Sequence, residues 1–168
     1  MKPQDVIVLI KLHIWDQGRW KIASLAKSIF LSPSETHAAI KRLGKASLFD
    51  PVHECPKIDA MEEFIIHGVK YMFPAELGPD TRGMPTAHSA LPMSKLVVSK
   101  GSDVIVWPYE KGKKRGLSIT PLYRTAPMAA EKDAGLYEYL SLIDSLRIGR
   151  VREQSFAKDE LIKRIRGK

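Results

Sequence analysis

The side chains of this 168-residue sequence whose types and spacing could do chemistry lie mainly between residues 32 and 45. In a helix over this stretch, Ser34, His37, Lys41 and Lys45 recur at intervals of three and four residues and therefore share one face. Hydroxyl and imidazole groups can hydrogen-bond to base edges in the major groove of DNA, and lysines can contact phosphates. We predict that Ser34 and His37 contact bases and that Lys41, Arg42 and Lys45 contact phosphates. Two further residues complete the predicted DNA-binding set of this segment: Ser32 and Thr36.

A second cluster of basic side chains comprises Lys111, Lys113, Lys114 and Arg115. Residues 104–109 and 117–119 have the pattern of two strands, so the cluster is predicted to lie at the tip of a β-hairpin. Such a tip could be a second phosphate contact, the true wing of a DNA-binding domain or a solvated turn. We include all four residues in the predicted DNA-binding set.

Two helical patterns joined by an abrupt turn must position the first cluster. Apolar residues recur at helical spacing in residues 22–29, and Thr36, Ala39, Ile40 and Leu43 form an inward stripe in the next helix. Ser32 is the predicted N-cap of this helix, Pro33 its first residue, and Glu35 would complete a capping box. The pattern predicts a helix-turn-helix.

The flanking residues extend this pattern. Residues 3–15 are predicted to form a first helix that Asp16-Gln17-Gly18 ends, and Leu48-Phe49 with Lys57-Ile58 are predicted to form a small hairpin. Three helices followed by a hairpin is the order that a winged helix-turn-helix requires.

Residues 3–58 resemble the winged-helix domain of bacterial transcriptional regulators of the multiple-antibiotic-resistance (MarR) type. The residues that carry the resemblance are Leu25-Ala26, Leu31-Ser32, Ile40 and Lys41-Arg42-Leu43. The resemblance implies a DNA-binding module. The rest of the chain is similar to a group of bacterial proteins with the same N-terminal module, which implies no activity. In the usual regulator pattern a long helix follows the wing directly. This sequence departs from that pattern, because no long helix follows its short wing directly.

The remainder of the chain predicts a mixed structure. Asp59 and Glu62 suggest a second capping box, and Gly68 suits the C-terminal cap of that helix. Residues 74–92, bounded by Pro74 and Pro92, are predicted to form a long ordered loop because they contain four prolines and two glycines. Two terminal helices are predicted over residues 136–148 and 156–165.

The fold class is therefore α+β, with a winged helix-turn-helix domain at residues 1–58. Residues 59–168 form a mixed part with a β-hairpin and terminal helices, for dimerisation or for sensing a partner or ligand.

Composition narrows the function classes. A formal charge of +8 favours a polyanionic partner, nucleic acid first. No apolar run approaches the roughly 20 residues that a membrane helix needs, and no signal peptide is recognisable. The single cysteine, Cys55, excludes an intrachain disulfide, and we expect a cytoplasmic protein.

His53-Glu54-Cys55 could ligate zinc, but no paired ligand motif accompanies it, so we expect no metal and no cofactor.

These patterns lead to one principal prediction, a sequence-specific regulator that binds double-stranded DNA as a homodimer and represses by occluding a promoter. A rival prediction makes the winged helix a protein-interaction module, such as the antitoxin or regulatory partner of another protein, with residues 74–92 as the docking loop or a small-ligand pocket. A third is an enzyme that uses Asp80, Arg82 and His88.

Overall fold

The computed structural model describes residues 1–15, 20–96 and 104–167. The helices are α1 (Pro3–Ile14), α2 (Ile22–Ser28), α3 (Pro33–Lys45), α4 (Ile58–Glu63), α5 (Val69–Met72), α6 (Met93–Leu96), α7 (Ala126–Lys132), α8 (Ala134–Ile148) and α9 (Val151–Arg166). The strands are β1 (Phe49–Asp50), β2 (Cys55–Pro56), β3 (Leu77–Pro85), β4 (Ile105–Pro108) and β5 (Lys114–Ile119). The predicted α+β class is confirmed, as are the first three helices and the terminal helices. The predicted helix stop at Asp16-Gln17-Gly18 lies outside the described residues.

Helix α1 lies at the centre of the molecule, and every residue from Gln4 to Leu12 is buried. It packs against α2, α3, β2 and α8. Two charged side chains are buried with it, and each has a partner of opposite charge: Asp5 pairs with Arg42 of α3, and Lys11 pairs with Asp133 at the start of α8. Helix α1 is thus covered all round rather than on one apolar face, as expected for a helix that is apolar over most of its surface.

The hydrophobic core is continuous from Val6 to Ile165. Helix α8 contributes most of its length to this core and packs against α1, α7 and α9. A hydrogen bond also connects the N-terminal end of α7 to the C-terminal end of α2, because Thr125 Oγ1 donates to the carbonyl of Ile29 at 3.0 Å. The division of the chain at residue 58 stays a prediction, and the core runs across it.

The helix after the small hairpin differs from its prediction at both ends. Helices α4 and α5 are joined by a π-helical turn, Phe64–Gly68, into one rod. Its N-cap is Lys57, which makes no side-chain cap, while Asp59 and Glu62 instead bind the guanidinium of Arg166. Gly68 lies inside the rod with φ near −98° and not in a left-handed cap. The predicted capping box and glycine cap were therefore wrong.

Strand β3 replaces the central part of the predicted loop at residues 74–92. The sequence pattern suggested no regular element there because of its prolines, but two of them occupy positions that a strand tolerates. Pro79 lies where the pairing with β5 shifts register, and Pro85 is the last strand residue. Gly83 permits close contact, because a Cβ atom there would lie 2.0 Å from the carbonyl oxygen of Trp107. The loop prediction was wrong for residues 77–85.

The predicted hairpin of residues 104–119 is also wrong in its pairing. Strands β4 and β5 each pair antiparallel with β3, and they pair with each other in parallel, with Ile105 opposite Leu117. The three strands form a small closed sheet. Gly116 makes this closure possible, because a Cβ atom there would lie 2.0 Å from the carbonyl oxygen of Val104. The basic cluster consequently spans the connection after β4 and the first residues of β5, and both strands pair with β3.

A buried carboxylate joins this sheet to α8. Asp144 accepts hydrogen bonds from Thr86 Oγ1 at 2.8 Å and Trp107 Nε1 at 2.6 Å, and it pairs with Arg147 at 2.6 Å. Burial raises the pKa of the Asp144 carboxyl, opposed by the Arg147 charge and by the three donors. The network fixes the sheet against the helical core.

Candidate nucleic-acid interface

The N-terminal end of α3 is capped as the sequence predicts. Ser32 Oγ accepts the amide hydrogen of Glu35 at 3.1 Å, and Pro33 occupies the first helical position. Glu35 does not complete the capping box, because its carboxylate accepts from Gln4 Nε2 at 3.2 Å instead. The cap therefore also links α3 to α1.

Thr36 belongs to the support of α3 and not to its outer surface. Its side chain is fully buried, and its hydroxyl donates to the carbonyl of Ser32 at 3.0 Å. The predicted DNA contact by Thr36 is therefore not supported by its position. Ser32 is exposed, although its hydroxyl oxygen serves as the helix cap.

The outer face of α3 carries an exposed stripe of polar and basic side chains. Its members, spaced by three and four residues, are Ser34, His37, Lys41 and Lys45. The opposite side of the helix is buried against α1 and α2 through Ala39 and Leu43. The structure thus presents these four side chains together on one face of a helix whose opposite face is packed against the core.

Arg42 does not share this face. Its guanidinium donates to both carboxylate oxygens of Asp5, from Nε at 2.8 Å and from Nη2 at 2.6 Å. The hydrogen bonds to Asp5 raise the pKa of Arg42 above its usual value. Because this fork is already occupied by a buried carboxylate, the predicted phosphate contact by Arg42 is not supported, and the residue instead fixes α3 on α1.

The β1–β2 hairpin carries no lysine or arginine at its turn, which reads Pro51-Val52-His53-Glu54. His53 Nδ1 lies 2.8 Å from Asp50 Oδ2, and this hydrogen bond, followed by those from the amides of Val52 and His53, lowers the pKa of Asp50 to about 2. The tip therefore offers no lysine or arginine to a phosphate. Cys55 is half-buried beside it.

The basic cluster between β4 and β5 is partly neutralised by ion pairs. Lys111 Nζ lies 3.8 Å from Glu131, and Arg115 pairs with Asp80 at 2.6 Å. Lys113 and Lys114 are exposed, and no carboxylate pairs with them among the residues that the structure describes. Two of the four predicted cations thus stay available for phosphate.

The fold brings Lys111 of the basic cluster beside the turn between α2 and α3. Phe30, in that turn, and Lys111 line the same groove, together with two cations that sequence reasoning missed, Arg124 and Lys132. Phe30 precedes the cap residue Ser32 by two positions, so this positive surface lies next to the N-terminal end of α3. Only the tertiary contact between α7 and the turn could reveal these two cations.

Two of the three residues of the predicted enzyme site have partners outside that site. Asp80 pairs with Arg115 of β5, whereas His88 Nδ1 lies 3.8 Å from Glu153 of α9. Arg82 is an exposed strand residue. Across residues 1–15, 20–96 and 104–167, no group of three or more His, Cys, Asp and Glu side chains could hold a metal ion. The same residues contain no helix with the length and apolar character needed to cross a membrane.

Comparisons with known proteins gave no match: no family model fits the chain, and no curated protein or solved structure is significantly similar to it.

Proposed function

We propose that the chain is a sequence-specific transcriptional regulator that binds double-stranded DNA through an N-terminal winged helix-turn-helix. The exposed stripe of α3 carries this proposal, because a rigidly supported helix with outward serine, histidine and lysine side chains can enter the major groove. Ser34 and His37 contact base edges. Lys41 and Lys45 contact the phosphates on either side.

The second contact comes from the basic cluster and not from the small hairpin. The β1–β2 turn lacks lysine and arginine, whereas Lys113 and Lys114 are exposed cations without a carboxylate partner among the described residues. Lys111 of the same cluster lines the groove that Phe30 of the α2–α3 turn also lines, which supports a location of the cluster on the same side as that end of α3. This arrangement favours the basic cluster as the phosphate-contacting loop.

The proposed mechanism is repression by occlusion of a promoter in the cytoplasm. A homodimer would match the two halves of a palindromic site, as is usual for helix-turn-helix proteins. Sedimentation that shows only monomers at micromolar concentration would contradict the dimeric part of the proposal.

Binding can be tested with a double substitution on α3. A genome-fragment selection with the purified protein first supplies a target duplex. We expect His37→Ala with Lys41→Ala to weaken binding to that duplex by roughly tenfold or more, because one base contact and one phosphate contact are lost. Fluorescence anisotropy measures the dissociation constant. The matched control is His67→Ala with Lys158→Ala, which removes the same residue types from exposed positions near α4 and α9.

The control separates specific contact from loss of charge. If both double variants weaken DNA binding equally, the effect arises from the change in net charge and not from a specific contact. If the α3 variant binds DNA as tightly as the unmodified protein, α3 is not the interface.

The role of the basic cluster predicts a change in salt dependence. Each neutralised phosphate contributes a slope of roughly 0.9 to the plot of log affinity against log salt concentration. We therefore expect Lys113→Ala with Lys114→Ala to flatten this slope by up to about two contacts' worth. Lys95→Ala with Lys158→Ala, also exposed, is the charge-matched control. If the slope is identical to that of the unmodified protein, Lys113 and Lys114 do not contact the phosphates of DNA.

A protein-interaction module is the second candidate function, and one surface feature favours it. Tyr71, Met72 and Leu77 are exposed apolar side chains near the junction of α5 and β3, and Tyr71 is 77% exposed. Exposed apolar clusters commonly mark contacts with other proteins. Recovery of a stoichiometric partner protein that Tyr71→Ser releases, together with absent DNA binding, would support this candidate over the first.

A further inference from the structure

A groove of about 440 Å³ lies between the α2–α3 turn, the loop after β4 and helix α7. Its apolar wall is formed by Phe30, Pro108, Pro127 and Met128, with the ring of Tyr109 beside them. This volume is within the range of roughly 300–1,000 Å³ that is typical of sites for small organic ligands. The groove is separate from the outer stripe of α3.

Phe30 lines this groove from a backbone position at which phenylalanine is unusual. It follows α2 in the left-handed region, with φ of 56°, and the amide of Leu31 donates to the carbonyl of Ala26 at 3.0 Å. This is the helix-ending geometry that glycine normally occupies, because a side chain there carries a steric penalty. The chain nevertheless has a phenylalanine, and its ring is partly exposed on the groove.

The charges around the groove favour an anionic ligand. Arg124 precedes α7 and Lys132 is its last residue, and neither has a carboxylate partner among the residues the structure describes. The Lys132 ammonium lies 4.9 Å from the centre of the Phe30 ring. The Glu131 carboxylate is already engaged, because Tyr109 donates to it at 2.7 Å and Lys111 lies 3.8 Å away. Glu110 is the remaining acid of the lining, and it is exposed.

We propose that this groove binds a nucleoside monophosphate. The flat heteroaromatic base packs against Phe30 and Met128, because base and ring faces attract through stacking. The Arg124 guanidinium holds the phosphate, since its planar fork matches phosphate geometry, and Lys132 adds positive potential. Glu110 can accept a hydrogen bond from an exocyclic amino group of the base.

The test uses the full chain with AMP, adenosine and inorganic phosphate, measured by isothermal titration calorimetry in the absence of DNA, so the result does not depend on the proposed DNA binding. We expect AMP to bind more tightly than either of its parts. Arg124→Gln should weaken AMP binding by roughly tenfold, as for a lost charge-assisted hydrogen bond, and leave adenosine binding unchanged. The control Lys158→Gln should change neither.

Phe30→Gly tests the aromatic wall without endangering the fold, because glycine suits the backbone conformation at this position. We expect it to weaken AMP and adenosine binding equally, by roughly tenfold, because both ligands lose the stacking contact with the aromatic ring. Three outcomes would overturn the proposal: no saturable AMP binding, equal binding of AMP and inorganic phosphate, or AMP binding that is unaffected by both Phe30→Gly and Arg124→Gln.

Discussion

Replacement of Asp144 by alanine is expected to lower the free energy of unfolding by about 3–5 kcal/mol, because it removes one member of a buried ion pair. The Asp144 carboxylate is 1% exposed and the Arg147 side chain 3% exposed. Single domains are stable by only about 5–15 kcal/mol, so the variant should lie close to unfolding. Its unfolding in urea, followed by circular dichroism, measures the change.

The physical reason lies in the groups that Asp144→Ala would leave behind. The hydroxyl of Thr86 and the indole N–H of Trp107 would lose their acceptor. Arg147 would keep hydrogen bonds to the carbonyls of Phe73 at 2.8 Å and Thr120 at 3.2 Å, but its charge would have no counter-ion. An unpaired charge in the protein interior is among the most destabilising defects.

An exposed pair with the same separation provides a matched control. Asp80 and Arg115 also approach to 2.6 Å, but their side chains are 54% and 69% exposed. Asp80→Ala should therefore change stability by no more than about 1 kcal/mol. If Asp144→Ala does not fold, Asp144→Leu with Arg147→Met removes both buried charges and should recover much of the stability. Equal effects of Asp144→Ala and Asp80→Ala would contradict the argument.

The helices were predictable where their signals are local. Ser32 followed by Pro33 fixes the start of α3 within a few residues of sequence, and the structure confirms that start. The exposed positions of Ser34, His37, Lys41 and Lys45 follow from the same helical period. These predictions needed no knowledge of the rest of the fold.

The sheet was not predictable because its determinants are non-local. Pro79 and Pro85 argue against a strand in sequence, and only the register of β3 against β4 and β5 shows that neither interrupts essential pairing. The parallel pairing of β4 with β5 likewise depends on both strands meeting β3. Local turn chemistry alone favours a hairpin there.

The interface was predictable only in part, for the same reason. The helical period distinguishes the outer face of α3 from the inner one, but it cannot show that Arg42 meets Asp5, which is 37 residues earlier in the chain. Nor can it show that Arg124 and Lys132 lie beside Phe30. Such pairings depend on how α1 and α7 pack against α2 and α3.

Arg42→Ala is the second substitution with a large expected effect, and its result separates a structural role from a phosphate contact. Asp5 is fully buried, and among the described residues it would keep only the backbone amide of Lys2, at 2.8 Å, as a donor. Arg42 itself is 27% exposed, so water can replace part of the lost interaction. We therefore expect unfolding to become easier by about 2–3 kcal/mol, somewhat less than for a fully buried pair.

Lys41→Ala, one residue away, is the matched comparison. Lys41 is exposed, and its removal should leave stability within about 0.5 kcal/mol while weakening DNA binding. A double-mutant cycle with Asp5→Asn and Arg42→Gln tests the cause, because the second substitution should be much less harmful once Asp5 is neutral. Urea unfolding of the four proteins gives the coupling energy. If Arg42→Ala leaves stability unchanged but weakens DNA binding, the structural role assigned to Arg42 is wrong, and the proposed phosphate contacts then include Arg42.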